Sequence, residues 1–125
     1  MIIHKTDSSH EDARGLFLCV VNNALRKYAD LNYTITRKDT WRGDHYHKST
    51  NEYFFIISGK IKLVLQKVAN GVICEEREYI FSQYDAFEIE PYENHIIHCL
   101  DDTVWISLLT ESFDDNNPDF FKVEK

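Results

Sequence analysis

The feature that most constrains this chain is a succession of short β-type runs broken by turn residues, with hardly any helical periodicity. Leu16–Val21 is a continuous apolar run of strand length, and Leu31–Arg37 alternates and is rich in β-branched and aromatic residues. Glu52–Ile57 and Ile61–Val68 flank Ser58-Gly59-Lys60, which predicts a hairpin. Asn70-Gly71 marks another turn, from which Val72–Ile80 returns. Asp85–Ile89, His95–Cys99 and Val104–Thr110 follow at the spacing of sandwiches and barrels. The expected fold is all-β, with about eight or nine antiparallel strands in a barrel or double-sheet jelly roll. The mouth of such a barrel is a natural ligand site.

The 125 residues suit a single domain, 1–125, with no internal repeat or linker. Net charge is −7, which argues against nucleic acid as a partner. The charge is uneven: residues 1–48 are net +2 and residues 49–125 net −9, so an anionic ligand would draw on the first third. No apolar run has the length needed to cross a bilayer, and the first residues lack a signal-peptide pattern, so the expected compartment is the cytoplasm. Cys19, Cys74 and Cys99 show no CxxC spacing and sit among apolar neighbours, as buried free thiols would. No Gly-x-Ser-x-Gly elbow, P-loop or dinucleotide-binding glycine pattern occurs, so neither nucleophilic hydrolysis nor a nucleotide cofactor is expected.

Chemistry concentrates in Gly43-Asp44-His45-Tyr46-His47-Lys48-Ser49-Thr50-Asn51-Glu52. In an extended strand His45 and His47 present two imidazoles on one face, and Tyr46 points to the other, where it packs. The polar segment after His47 can turn the chain, so that Glu52 opens the next strand facing the same interior. Two imidazoles and a carboxylate suit Zn, Fe, Mn, Ni or Co and leave positions open for substrate or water. A fourth ligand would come from farther along, where His95 and His98 are the candidates in a strand. Trp41 and Trp105 are expected in the core or an interface.

At these residues the sequence resembles a cupin. His45, His47, Glu52 and Gly59 match the first cupin motif without a gap. In the second, Pro91-Tyr92-Glu93-Asn94-His95 departs from the family pattern: the glycine is replaced, and no matching asparagine follows. The resemblance places His95 as the fourth metal ligand, with His98 the alternative. Asp12-Ala13-Arg14-Gly15-Leu16-Phe17 and Arg42-Gly43-Asp44-His45-Tyr46 resemble segments of nucleotide-sugar cupins typified by deoxysugar 3,5-epimerases. Over roughly residues 12–121 the chain resembles the C-terminal cupin domain of bifunctional capsular-polysaccharide reductase/epimerases. The reductase domain of those proteins has no counterpart here, so a reduction would require a separate enzyme. Metal-independent ketoisomerases of dTDP-4-keto-6-deoxysugars also look similar around Arg42–Lys48.

The resemblance implies an isomerase or epimerase of a nucleotide-linked 4-keto-6-deoxysugar in surface-polysaccharide synthesis, and a homodimer. Such a reaction needs a base beside the keto group, stabilisation of the enolate oxygen, and an acid on the opposite face. Metal-binding relatives imply His45, His47, Glu52 and His95 as ligands; metal-independent ones imply His45 or His47 as the base. Tyr92 is a candidate acid. Arg14 and Arg42, with Lys48, are candidates to hold the diphosphate, since a guanidinium fork matches phosphate oxygens. Two alternatives stay open: a non-catalytic sugar-binding metallocupin, and a metal-dependent oxygenase.

Overall fold

The computed structural model describes residues 1–4, 9–21 and 26–124. Eleven strands follow in chain order: β1 (Ile2–His4), β2 (Ser9–Asp12), β3 (Gly15–Leu18), β4 (Asp30–Thr36), β5 (Trp41–His45), β6 (Glu52–Ser58), β7 (Lys60–Ala69), β8 (Val72–Ser82), β9 (Ala86–Ile89), β10 (Glu93–Cys99) and β11 (Thr103–Leu109). They form a five-stranded sheet, β1-β9-β6-β11-β4, and a four-stranded sheet, β5-β10-β7-β8, with β2 and β3 as a separate hairpin. Every pairing is antiparallel. The count exceeds the expected eight or nine because β1, β2 and β5 are too short or too polar to show a strand pattern.

Between the sheets lies one apolar core. Phe54, Ile56, Phe87, Ile89 and Trp105 of the larger sheet meet Ile61, Leu63, Leu65, Phe81, Ile97 and Cys99 of the smaller. Phe54 and Phe81 each stack on Phe87, with centroids 5.0 and 4.4 Å apart. Burying a side chain of this kind is worth about 1.5–3 kcal/mol, so these contacts dominate cohesion. A second cluster forms on the outer face of the larger sheet, where Leu18, Val20, Val21 and Tyr28 pack against Tyr53, Phe55 and Ala86. β6 is therefore covered on both faces, and its sequence reads as an unbroken apolar run rather than an alternating one. Glu88, buried within that outer layer, accepts hydrogen bonds from Arg26, Tyr28 and Asn51. A buried carboxylate needs such partners.

Three expectations are corrected. Ser58-Gly59-Lys60 does not close a hairpin: β6 pairs with β9 and β11, while β7 pairs with β8 and β10 in the other sheet. The turn is a corner that carries the chain between layers. Gly59 (φ 98°) lies so close to Asp102 and Thr103 that a Cβ would fall 2.4 Å from the Asp102 carbonyl oxygen. Leu16–Val21 is not one strand. β3 ends at Leu18, leaving Phe17 exposed on the hairpin, and the following residues cover the outer layer. Cys99 is buried but Cys74 is exposed and Cys19 half-buried. Trp105 is in the core, whereas Trp41 is 60% exposed and stacks on His98. The hairpin at Asn70-Gly71 forms as expected.

Candidate functional site

β4 and β5 are edge strands of opposite sheets, and the seam between them opens into a cavity of about 530 Å³. That volume lies in the usual range for small-molecule sites, about 300–1,000 Å³. Its buried end carries His45, Glu52 and His95; Phe54, Trp105 and Phe120 supply apolar wall, and Arg42 and Tyr33 stand at the exposed side.

Local backbone geometry creates the cluster. His45 pairs with His95, but Gly43 pairs with Ile96, so Asp44 is an extra residue on β5. This β-bulge re-aims the end of the strand, as bulges beside functional sites do. Asp44 adopts φ 63° and Gly43 φ 89°. A Cβ on Gly43 would sit 2.4 Å from the His95 main-chain oxygen, so only glycine permits the approach. Beyond the bulge the chain stays extended and His47 falls on the same side as His45. Glu52, first residue of β6, is held by pairing with Ile89 and Leu109.

His45, His47, Glu52 and His95 each offer one ligand atom, and the four atoms lie within 4.8 Å of one another. Glu52 Oε1 is 3.2 Å from His47 Nε2 and 3.9 Å from His95 Nε2. His47 Nδ1 lies 2.7 Å from the main-chain oxygen of Asp119. His95 Nε2 is buried with no hydrogen-bond partner. Such an orphaned nitrogen is what a metal ion would satisfy, and the set of three imidazoles and one carboxylate fits a divalent ion.

Burial, reinforced by charge on the neighbouring imidazoles, pushes His45 and His95 down to about 4, so both are neutral with available lone pairs at pH 7. At His47 burial works in the same direction, but hydrogen bonds to Glu52 and to the Asp119 carbonyl outweigh it and raise the pKa.

Of the other candidates, Arg42 alone lines the cavity, at its exposed side. Arg14 sits on the β2–β3 hairpin and binds Asp12 at 2.6 Å. Lys48 places its ammonium over the Phe121 ring. Tyr92 packs its ring near Tyr46. None of these three lines the cavity. His98 faces away from the cluster, stacked on Trp41 at 4.1 Å. His47 stands behind Glu52 rather than on the cavity wall. Sequence patterns missed the C-terminal segment, where Phe120 stacks on His45 at 3.9 Å and Phe121 forms a β-bridge with Tyr46. The signal available was an apolar pair, Phe120-Phe121, directly after an acidic tail.

A two-layer antiparallel jelly roll with three imidazoles and a carboxylate at the closed end of its bore defines a cupin. Residues 10–121 match the family described as polysaccharide biosynthesis C-terminal domain, and the chain belongs to that family. A UDP-2-acetamido-2,6-beta-L-arabino-hexul-4-ose reductase of Pseudomonas aeruginosa is 28% identical over 117 residues, 90% of this chain and 30% of that protein. The capsular polysaccharide assembling protein CapF of Staphylococcus aureus is 27% identical, with a TM-score of 0.70 over 80% of this chain and 27% of that one. This chain thus spans less than a third of either relative. The QdtA sugar 3,4-ketoisomerase of Thermoanaerobacterium thermosaccharolyticum, solved in complex with TDP, shares the fold with a TM-score of 0.79 and 18% identity, covering 98% of this chain and 86% of that one.

Two predictions follow from the site's geometry. Gly43→Ala should destabilise the protein by at least about 2 kcal/mol, through left-handed strain plus the clash with His95, as read by urea unfolding. The downward shifts of His45 and His95 mean that the unfolded chain binds protons the native chain does not, between about pH 6.5 and 4. Stability contributed by their neutral state is lost as pH falls through that window. His47 runs oppositely, its contribution being present in acid and lost as pH rises. Two against one leaves a net loss, so the metal-free protein should unfold at lower urea at pH 4.5 than at pH 7. His95→Gln should flatten that slope, and an unaltered slope in the variant would contradict the assignment.

Proposed function

We propose that the chain is an isomerase or epimerase acting on a nucleotide-linked 4-keto-6-deoxysugar in surface-polysaccharide synthesis, at a divalent-metal cupin site. The observation that carries the proposal is the cluster of four donor atoms from three imidazoles and a carboxylate, set at the buried end of a cavity of substrate size. Family membership supports it, as does the likeness to a TDP-bound ketoisomerase.

His45, His47, Glu52 and His95 would hold the ion, which when bound supplies Lewis-acid polarisation of an oxygen beside the reacting carbon. The chain's own groups do the rest. Arg42 offers its guanidinium to the diphosphate at the open side. Asn32, Thr34 and Ser107 present polar groups along the wall to orient sugar hydroxyls, and Phe54, Trp105 and Phe120 exclude water from the buried end. A metal-free acid–base mode is favoured by one observation: Glu52, which faces the cavity, is backed by His47 at 3.2 Å, a pair able to take up and return a proton.

Purified without chelator, the wild type should carry close to one equivalent of metal and His47→Ala little. In D₂O, with dTDP- or UDP-4-keto-6-deoxysugars, proton NMR should show exchange at a carbon beside the keto group. His47→Ala should slow that exchange by about 100-fold or more. Metal-free wild type of full activity would select the acid–base mode, and neither exchange nor binding with any of these sugars would sink the proposal. The molecule is taken as a homodimer, because edge strand β4 leaves Leu31, Tyr33 and Ile35 more than 60% exposed beside the outer apolar layer. Sedimentation equilibrium should give twice the chain mass, and a monomer at micromolar concentration would refute this.

A further inference from the structure

We infer that Asp119 is a positioning residue for His47, and that the C-terminal strap it anchors is a built part of the site. The inference rests on the reading of His47 as a working residue, and it holds whether His47 is a metal ligand or an acid–base group.

One side chain gathers an unusual number of donors. The Asp119 carboxylate accepts the main-chain N–H groups of Lys48 at 2.7 Å, Ser49 at 2.9 Å and Thr50 at 2.8 Å. It also accepts the hydroxyls of Ser49 at 3.0 Å and Thr50 at 2.8 Å. Burial alone would raise its pKa, but these donors hold it well below the usual carboxylate range. The three N–H groups belong to the turn that separates His47 from Glu52, so the carboxylate fixes how those two residues meet.

The main chain of the same residue completes the arrangement. The Asp119 carbonyl faces His47 Nδ1 at 2.7 Å. A carbonyl only accepts, so Nδ1 carries the hydrogen and Nε2 is left toward Glu52 Oε1 at 3.2 Å. The next residues continue the strap. Phe120 stacks on His45, Tyr46 and Phe121 exchange main-chain hydrogen bonds at 2.9 Å each way, and Lys122 Nζ donates to the Asp44 carbonyl at 3.0 Å. Releasing the carboxylate therefore frees the ring of His47 and uncovers His45 together. Mere closure of the barrel end would need no carbonyl aimed at an imidazole.

Ring-¹⁵N NMR of the whole chain at fixed neutral pH tests this. The wild type should show a slowly exchanging Nδ1–H on His47. Asp119→Ala should lose that signal and populate both ring tautomers, while Asp119→Asn, which keeps one acceptor oxygen, should restore part of it. Zn²⁺ affinity, measured by calorimetry, should fall about 10–100-fold in Asp119→Ala, the usual effect of losing a group that orients a ligand. Should Asp119→Ala not fold, Asp119→Asn and Thr50→Val carry the test, each expected to weaken the Nδ1–H signal. An unchanged His47 signal in the variants, or a wild-type His47 without Nδ1–H, overturns the inference. Failure of the functional proposal reads differently: wild type that neither binds metal nor exchanges a sugar proton, whatever the state of the His47 ring.

Discussion

Burying several titratable groups in an apolar bore is the constraint on which this molecule's architecture turns. An imidazole or carboxylate withdrawn from water without a partner is penalised by several kcal/mol if charged, and neutrality or pairing is the way out. This chain uses both. His45 and His95 are driven neutral, while His47 and Glu52 remain paired at 3.2 Å. His95 Nε2 is then left buried with nothing to bond, an arrangement poorly suited to stability alone. Unsatisfied buried polar atoms are rare in folded proteins and concentrate where a ligand, an ion or a reaction makes use of them.

Holding the cluster in place requires unusual backbone. The bulge at Asp44 brings His45 opposite His95, and Gly43 permits a main-chain approach that any side chain would block. From the other side, the turn after His47 is fixed not by its own residues but by Asp119, some 70 positions later in the chain. Short-range geometry and one long-range clamp thus converge on the same four side chains. The aromatic packing between the sheets supplies the rigid frame they act within.

Much of this was legible in the sequence, for definite reasons. Alternation in β4 and β7, the Asn70-Gly71 turn and the spacing of His45, His47 and Glu52 are local signals, and each was read as the structure has it. What failed was non-local. The corner at Gly59 resembles a hairpin turn because both turns use glycine at positive φ; sheet membership depends on which distant strands pair with β6 and β7. Leu16–Val21 looked like a core strand because hydrophobicity does not say which layer a segment covers. Arg14, Lys48 and Tyr92 were singled out by neighbouring motif residues, but their side chains engage Asp12, Phe121 and Tyr46 away from the cavity. Asp119 closes an acidic tail segment whose contacts no pattern announced, since the three N–H groups it accepts carry no sequence signature.

The same geometry bears on why a metal mode and a metal-free mode can share one scaffold. Three neutral or paired imidazoles around a carboxylate would form a ligand set for an ion. Without an ion, the Glu52–His47 pair is already a proton store facing the cavity. The two modes would differ at Nε2 of His47, since its Nδ1 lies 2.7 Å from the Asp119 carbonyl. A positioned second nitrogen leaves the ring one degree of chemical freedom, toward Glu52 or toward an ion. Selection between the two then depends on the donor count around the bore. His95 is almost fully buried and offers one of the four donor atoms, so its loss would leave an ion two imidazoles and a carboxylate.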